Sequence, residues 1–184
     1  FPYTTLFRSV GVAFLPFFIT ISALIAPTSL ITHAIVHERE TRTLELLVAL
    51  PVRIQQVIAA KLGSAYLAAM GVCGACLLVL SVELLAFGMA SVAELLGLFA
   101  LLMASTAYAT AASLFVALLA KDFRTANNLA GGIIGPAIVL VMVGMLVLSG
   151  AVLRPLALAL LFALGALALA RAALRSATFE RLLD

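Results

Sequence analysis

Long apolar runs and short polar knots divide this chain so sharply that its elements can be marked from hydropathy alone. Apolar stretches occupy about residues 10–36, 62–82, 95–120, 129–148 and 155–170. A helix needs roughly twenty apolar residues to cross a bilayer core of about 30 Å, and all but the last stretch are long enough. The pattern predicts an all-α fold, a polytopic transmembrane helical bundle of about five spans. Between the first two spans lies the one long polar interruption, residues 37–61, HERETRTLELLVALPVRIQQVIAAK. Its apolar residues still recur at helical spacing (Leu44, Leu47, Val48, then Ile54, Val57, Ile58), as in a cytoplasmic amphipathic helix lying on a membrane surface or a partner. Pro51 disfavours helix at Leu50, which predicts a break there. A second helix should start near Pro51 and run through Lys61 into the membrane.

The remaining punctuation is finer. Pro16 and Pro27 fall in the first span and should kink it, which helix bundles tolerate. Leu84 to Ala90 reads as a short connector before Glu94. Lys121–Asn128, KDFRTANN, reads as the next loop, and the last span looks short before an amphipathic, charged tail, Arg171–Asp184. The opening FPYTTLFRS resembles a translated sequencing-adapter oligonucleotide. Residues 1–9 are therefore expected to be a non-native scar. Residues 10–184 would then form one transmembrane domain from which an earlier span is missing.

Composition sharpens this picture. The chain is 65% hydrophobic and only 10% charged, with a mean hydropathy of +1.27. The net charge of +3 sits beside membrane ends, so it reads as a topology signal rather than a nucleic-acid footprint, and no nucleic-acid partner is expected. Arg39, Arg42, Arg53, Lys61, Lys121, Arg124, Arg171, Arg175 and Arg181 fall on one side of the alternating spans. Arg154 falls on the other, with Glu83 and Glu94. The positive-inside rule makes the larger group cytoplasmic, along with the C-terminus. The lipid bilayer is the first partner.

Several residue sets could carry chemistry, and each has a plainer reading. His33 and His37 share a helical face beside Glu38, but a third metal ligand is lacking, so a headgroup-level pair is the better reading. Cys73 and Cys76 form a CxxC inside an apolar span, where small packing residues are expected rather than a redox pair. Gly131, Gly135 and Pro136 allow close helix approach, and either pack a neighbour or line a translocation path. Ser105, Thr106, Thr110 and Ser113 either face such a path or bond back to their own helix. Mid-bilayer acids and bases are missing, which weakens any proton-relay mechanism. The three acids Glu38, Glu40 and Glu45 would sit poorly against an anionic leaflet, so a protein partner suits the polar segment as well as headgroups do. No catalytic residue, metal ligand or cofactor-binding residue is expected in the chain.

One run is more specific. Glu38-Arg39-Glu40-Thr41-Arg42-Thr43-Leu44-Glu45-Leu46-Leu47, then Pro51, then Lys61 ahead of a span, resembles the signature of ABC-2 type transporter permeases. That pattern reads approximately E-[KR]-E-x-x-T-[LM]-E-x-L-L, then [ST]-P, then Gly-Lys. Leu50 stands here for the Ser or Thr and Ala60 for the Gly. The tail Phe179-Glu180-Arg181-Leu182-Leu183 is similar to the family's usual ending, and span count and order agree from Val10 to Asp184. The resemblance implies a membrane-spanning permease subunit of a bacterial or archaeal cytoplasmic membrane, an exporter by family tendency, paired as a homo- or heterodimer. It also implies that Glu38–Leu50 is a coupling helix seated in a partner ABC ATPase. Glu38, Arg39, Glu40, Arg42, Thr43, Leu44, Glu45 and Leu47 would make that contact, and Pro51 the hinge. The Walker pattern GxxxxGK[ST] is absent from the sequence, so ATP and Mg would be bound by the partner, and the chain itself is expected to be no enzyme. The runner-up is an ATPase-independent secondary transporter or a membrane scaffold. An intramembrane enzyme would need a nucleophile and base, or metal ligands, at matching depth, and the spans offer neither.

Overall fold

The computed structural model describes residues 14–31, 54–120, 123–148 and 150–176, which are helical or in short turns, without strands. Five helices among them are long and apolar enough to cross a membrane. We label them α1 (Phe14–Ile31), α2 (Ile54–Ala86), α3 (Val92–Leu119), α4 (Phe123–Val147) and α5 (Leu153–Ser176).

The helices are longer than the apolar runs that announce them, because their ends recruit polar residues. α2 continues to Ala86 rather than stopping before Leu84. It closes on Gly88, whose φ of 61° is open to glycine at little steric cost. The Gly88 amide donates to the Leu85 carbonyl and the Met89 amide to the Leu84 carbonyl, while Met89 packs on the cluster containing Leu84. This is a Schellman ending with its hydrophobic contact, and it satisfies carbonyls a helix terminus would otherwise leave unpaired. Only residues 87–91 separate α2 from α3. α3 then starts on a capping box. The Glu94 amide donates to the Ser91 hydroxyl at 3.3 Å and the Ser91 amide to the Glu94 carboxylate at 2.7 Å. Glu94 thus belongs to the first turn of the span.

The expected loop Lys121–Asn128 is mostly helix, since α4 is under way at Phe123. The last span is not short: α5 has 24 residues, reaching back to include Arg154 and on past Arg171 and Arg175. Long arginine stems can run along a span while the guanidinium reaches the interface, so a charge near the end need not stop the helix.

α3 is the hub. Of its membrane window 61% is buried, against 17–33% for the other four. Leu24 of α1, Leu101 and Ala109 of α3, Val141 of α4 and Leu158 and Phe162 of α5 form the central cluster. A second joins Ile19 and Ala23 to Leu77 and Leu84 of α2 and to Leu95, Leu98 and Leu102 of α3. A third joins Ile31, Leu114, Leu118 and Ala173, with Leu62 and Ala65 packed on it. Because Ile19 lies beside the start of α3 and Ile31 beside its end, α1 runs parallel to α3. By the same test α5 is parallel to α3, and α2 and α4 are antiparallel.

Candidate functional site

Alternating helix direction sorts the charges. Lys61 near the start of α2, Arg124 in the first turn of α4, and Arg171 and Arg175 in the last turns of α5 collect at one end of the bundle. Glu83, Glu94 and Arg154 occupy the other. The last residue of α1, Ile31, packs in one cluster with Leu62 and Ala65 of α2. The chain between α1 and α2 therefore departs from the basic end and returns to it. That connection carries Glu38, Arg39, Glu40, Arg42, Thr43, Leu44, Glu45, Leu47 and Pro51, all of which lie outside the described residues, as do His33, His37 and the tail from residue 177. What is described is the continuation: α2 runs unbroken from Ile54 past Lys61 and across the bundle to Ala86.

The buried hydroxyls resolve simply. Ser105, Thr106, Thr110 and Ser113 are all buried. Each donates back to a carbonyl of its own helix, to Leu101, Leu102, Thr106 and Ala109, at 2.7 Å. Thr20 and Thr28 do the same in α1, to Pro16 at 2.7 Å and Leu24 at 2.6 Å. A hydroxyl so paired costs little in an apolar interior, and these offer no free polar lining to a translocation path. Cys73 and Cys76 are unbridged within α2, one half-buried and the other exposed, and the described residues contain no cluster of three or more metal-ligating side chains.

The glycine pattern divides. Around Gly131 and Gly135 there is open space, with no atom within 4 Å of where a Cβ would stand, and Gly131 and Pro136 are exposed. Close approach is made instead at three other glycines. A Cβ on Gly97 would stand 3.0 Å from the Pro155 ring, on Gly165 3.0 Å from Tyr108, and on Gly144 2.8 Å from Leu158. None of these forms a GxxxG pair. Their only signal is a lone glycine on a helix that turns out to face a neighbour.

Two polar residues that hydropathy did not single out tie the helices together. The Arg154 Nε donates to the Leu148 carbonyl at 3.0 Å, closing the end of α4 from the first turn of α5. The Tyr108 hydroxyl of α3 donates to the Ile133 carbonyl of α4 at 3.4 Å, while its ring meets Phe162 of α5 edge-on at 5.3 Å. Tyr108 thus links its own helix to two others. An isolated tyrosine in an apolar run is the only trace of this in the sequence.

Compared with protein-family models, curated proteins and solved structures, the chain matches none.

Proposed function

We propose that this chain is the membrane-spanning permease subunit of an ATP-binding cassette transporter, an exporter driven by a separate ATPase. The observation that carries the reading is one of placement. The run Glu38–Leu47, which resembles the ABC-2 signature, belongs to the connection between α1 and α2, and both flanking helices meet at the basic end of the bundle. By the positive-inside rule that end faces the cytoplasm, where an ATPase operates. From there α2 is a single helix of 33 residues, packed on the hub α3 through Leu77 and Leu84. A force applied just before Ile54 has a continuous lever into the bundle, as a rigid-body coupling requires. ATP and Mg bind to the partner, the C-terminus is cytoplasmic, and the membrane is the cytoplasmic membrane of a bacterium or archaeon.

The test is purification of the full chain from its native membrane and identification of any ABC ATPase that comes with it. Replacing Glu40 and Glu45 together by Lys reverses the charge of the proposed contact. The double variant should still insert in the membrane yet lose its ATPase. Wild-type recovery of the ATPase by that variant would refute the coupling assignment, and failure of the unaltered chain to retain any ATPase would refute the permease reading.

A further inference from the structure

α4 is held at its two ends by different parts of the bundle. Ala126 and Ala130 pack with Val116 and Ala120 at the end of α3. From Ile134 on, through Ala137 and Val141, it belongs to the central cluster with Leu158 and Phe162 of α5, and Gly144 lies against Leu158. Between the two anchors stand Gly131 and Gly132, with nothing within 4 Å of either Cβ position. Four residues after Gly132 comes Pro136, inside the helix. Proline has no amide hydrogen, so the Gly132 carbonyl loses its ordinary helical donor at that point. Two glycines with open space at their Cβ positions and a missing ladder bond fall within one and a half turns.

A side-chain hydrogen bond from another helix reaches this point. The Tyr108 hydroxyl reaches the Ile133 carbonyl, next to the carbonyl that Pro136 deprives of its donor. At 3.4 Å the bond is long for an O–H···O contact, which makes it easy to break. The tyrosine ring is fixed independently, edge-on to Phe162 and against Gly165. Its hydroxyl can let go of α4 without the ring leaving α5. The anchor on the far side is built of small side chains, Val116, Ala120, Ala126 and Ala130, with Ile133 packed on it.

We propose that α4 carries a hinge at Gly131–Pro136, latched by the Tyr108 hydroxyl, about which the segment Phe123–Ala130 swings while Ile134–Val147 stays fixed on α5. Sharp helix bends arise at proline and at glycine-rich turns, and hinge closure is a common form of switching in helical proteins. The inference does not depend on an ATPase partner. It concerns which part of the bundle can move.

Pulsed electron–electron distance measurements on the full chain in lipid nanodiscs test it, with Cys73 and Cys76 replaced by Ala. One spin-label pair at Asn128 and Leu167 spans the hinge, and a control pair at Val143 and Leu160 does not; all four residues are exposed. The hinge pair should give a broad or two-peaked distribution and the control pair a single narrow one. Tyr108→Phe keeps the ring and removes the latch, so it should shift the hinge pair alone toward its second distance. Pro136→Ala restores a donor for Gly132, and Gly131→Ala with Gly132→Ala stiffens the turn where there is room for the methyls. Each should narrow the hinge pair to one peak. Equal widths at both pairs, unmoved by Tyr108→Phe and by the glycine double variant, would overturn the proposal.

Discussion

A glycine inside a transmembrane helix has two opposite uses, and this chain has both. Where a neighbour lies against it, the missing side chain lets two backbones approach. Where nothing lies against it, the missing side chain leaves the helix easier to deform. Gly97 and Gly165 are of the first kind. A methyl there would press at 3.0 Å on the Pro155 ring or on Tyr108, itself pinned by Phe162, and neither neighbour can turn aside as a leucine tip can. Gly97→Ala and Gly165→Ala should therefore each cost about 1–3 kcal/mol from overpacking. Gly131→Ala and Gly135→Ala meet open space and should gain roughly 0.5–1 kcal/mol from helix propensity. Thermal unfolding of the four variants in the same detergent separates the groups. If Gly97→Ala melts with the unaltered protein while Gly131→Ala melts below it, the division is wrong. In the sequence, GxxxG spacing singles out Gly131 and Gly135, to pack a neighbour or line a path, and nothing singles out Gly97 or Gly165. Spacing along a helix says which residues share a face, but not whether that face meets a neighbour.

At the level of elements, apolar runs identify spans well because the bilayer sets a length no core helix must meet. They locate the ends poorly, because a helix end is made by polar atoms that a hydropathy window counts against it. Glu94 reads as the residue before a span and is in fact the third residue of α3, bonded to the Ser91 amide. Arg124 and Asn127 read as loop and lie in the first turns of α4. The signals were present in local chemistry: Ser91 followed three residues later by Glu94, and Gly88 just past the last apolar turn of α2. These two stops define the turn between α2 and α3, so their removal should be felt together. Ser91→Ala should cost about 1 kcal/mol through the lost cap. Gly88→Ala, forced to a φ of 61°, should cost about 1–2 kcal/mol. Because both act on the same five-residue turn, the double variant should depart from the sum of the singles. Chemical denaturation in mixed micelles reads all three, and strict additivity would show that the two caps do not share a turn.

For the whole molecule, the decisive quantity is the division of charge between the ends of the bundle, which no single residue contains but which alternating the spans along the sequence already gives. The packing agrees with that alternation, α1, α3 and α5 running one way and α2 and α4 the other. The described cations then fall at one end, Arg154 excepted, and that exception has an occupation of its own in closing α4 through the Leu148 carbonyl. Against that one arginine stand Lys61, Arg124, Arg171 and Arg175 at the opposite end, a clear positive-inside bias. Such a bias has a measurable consequence. Single cysteines at Gly88 and Ala151, on a chain without Cys73 and Cys76, should react with an impermeant thiol reagent added outside intact cells. Cysteines at Arg124 and Arg175 should react only after the membrane is opened. The set matters more than any one site, because the helix directions allow only two patterns. Labelling of Gly88 with Arg124 from the same side would contradict the antiparallel packing of α4 on α3. Labelling of all four sites in reversed order would leave the bundle intact but put the Glu38–Leu47 run outside the cell, where no ATPase could reach it. The fold and the coupling role thus fail by different results of one experiment.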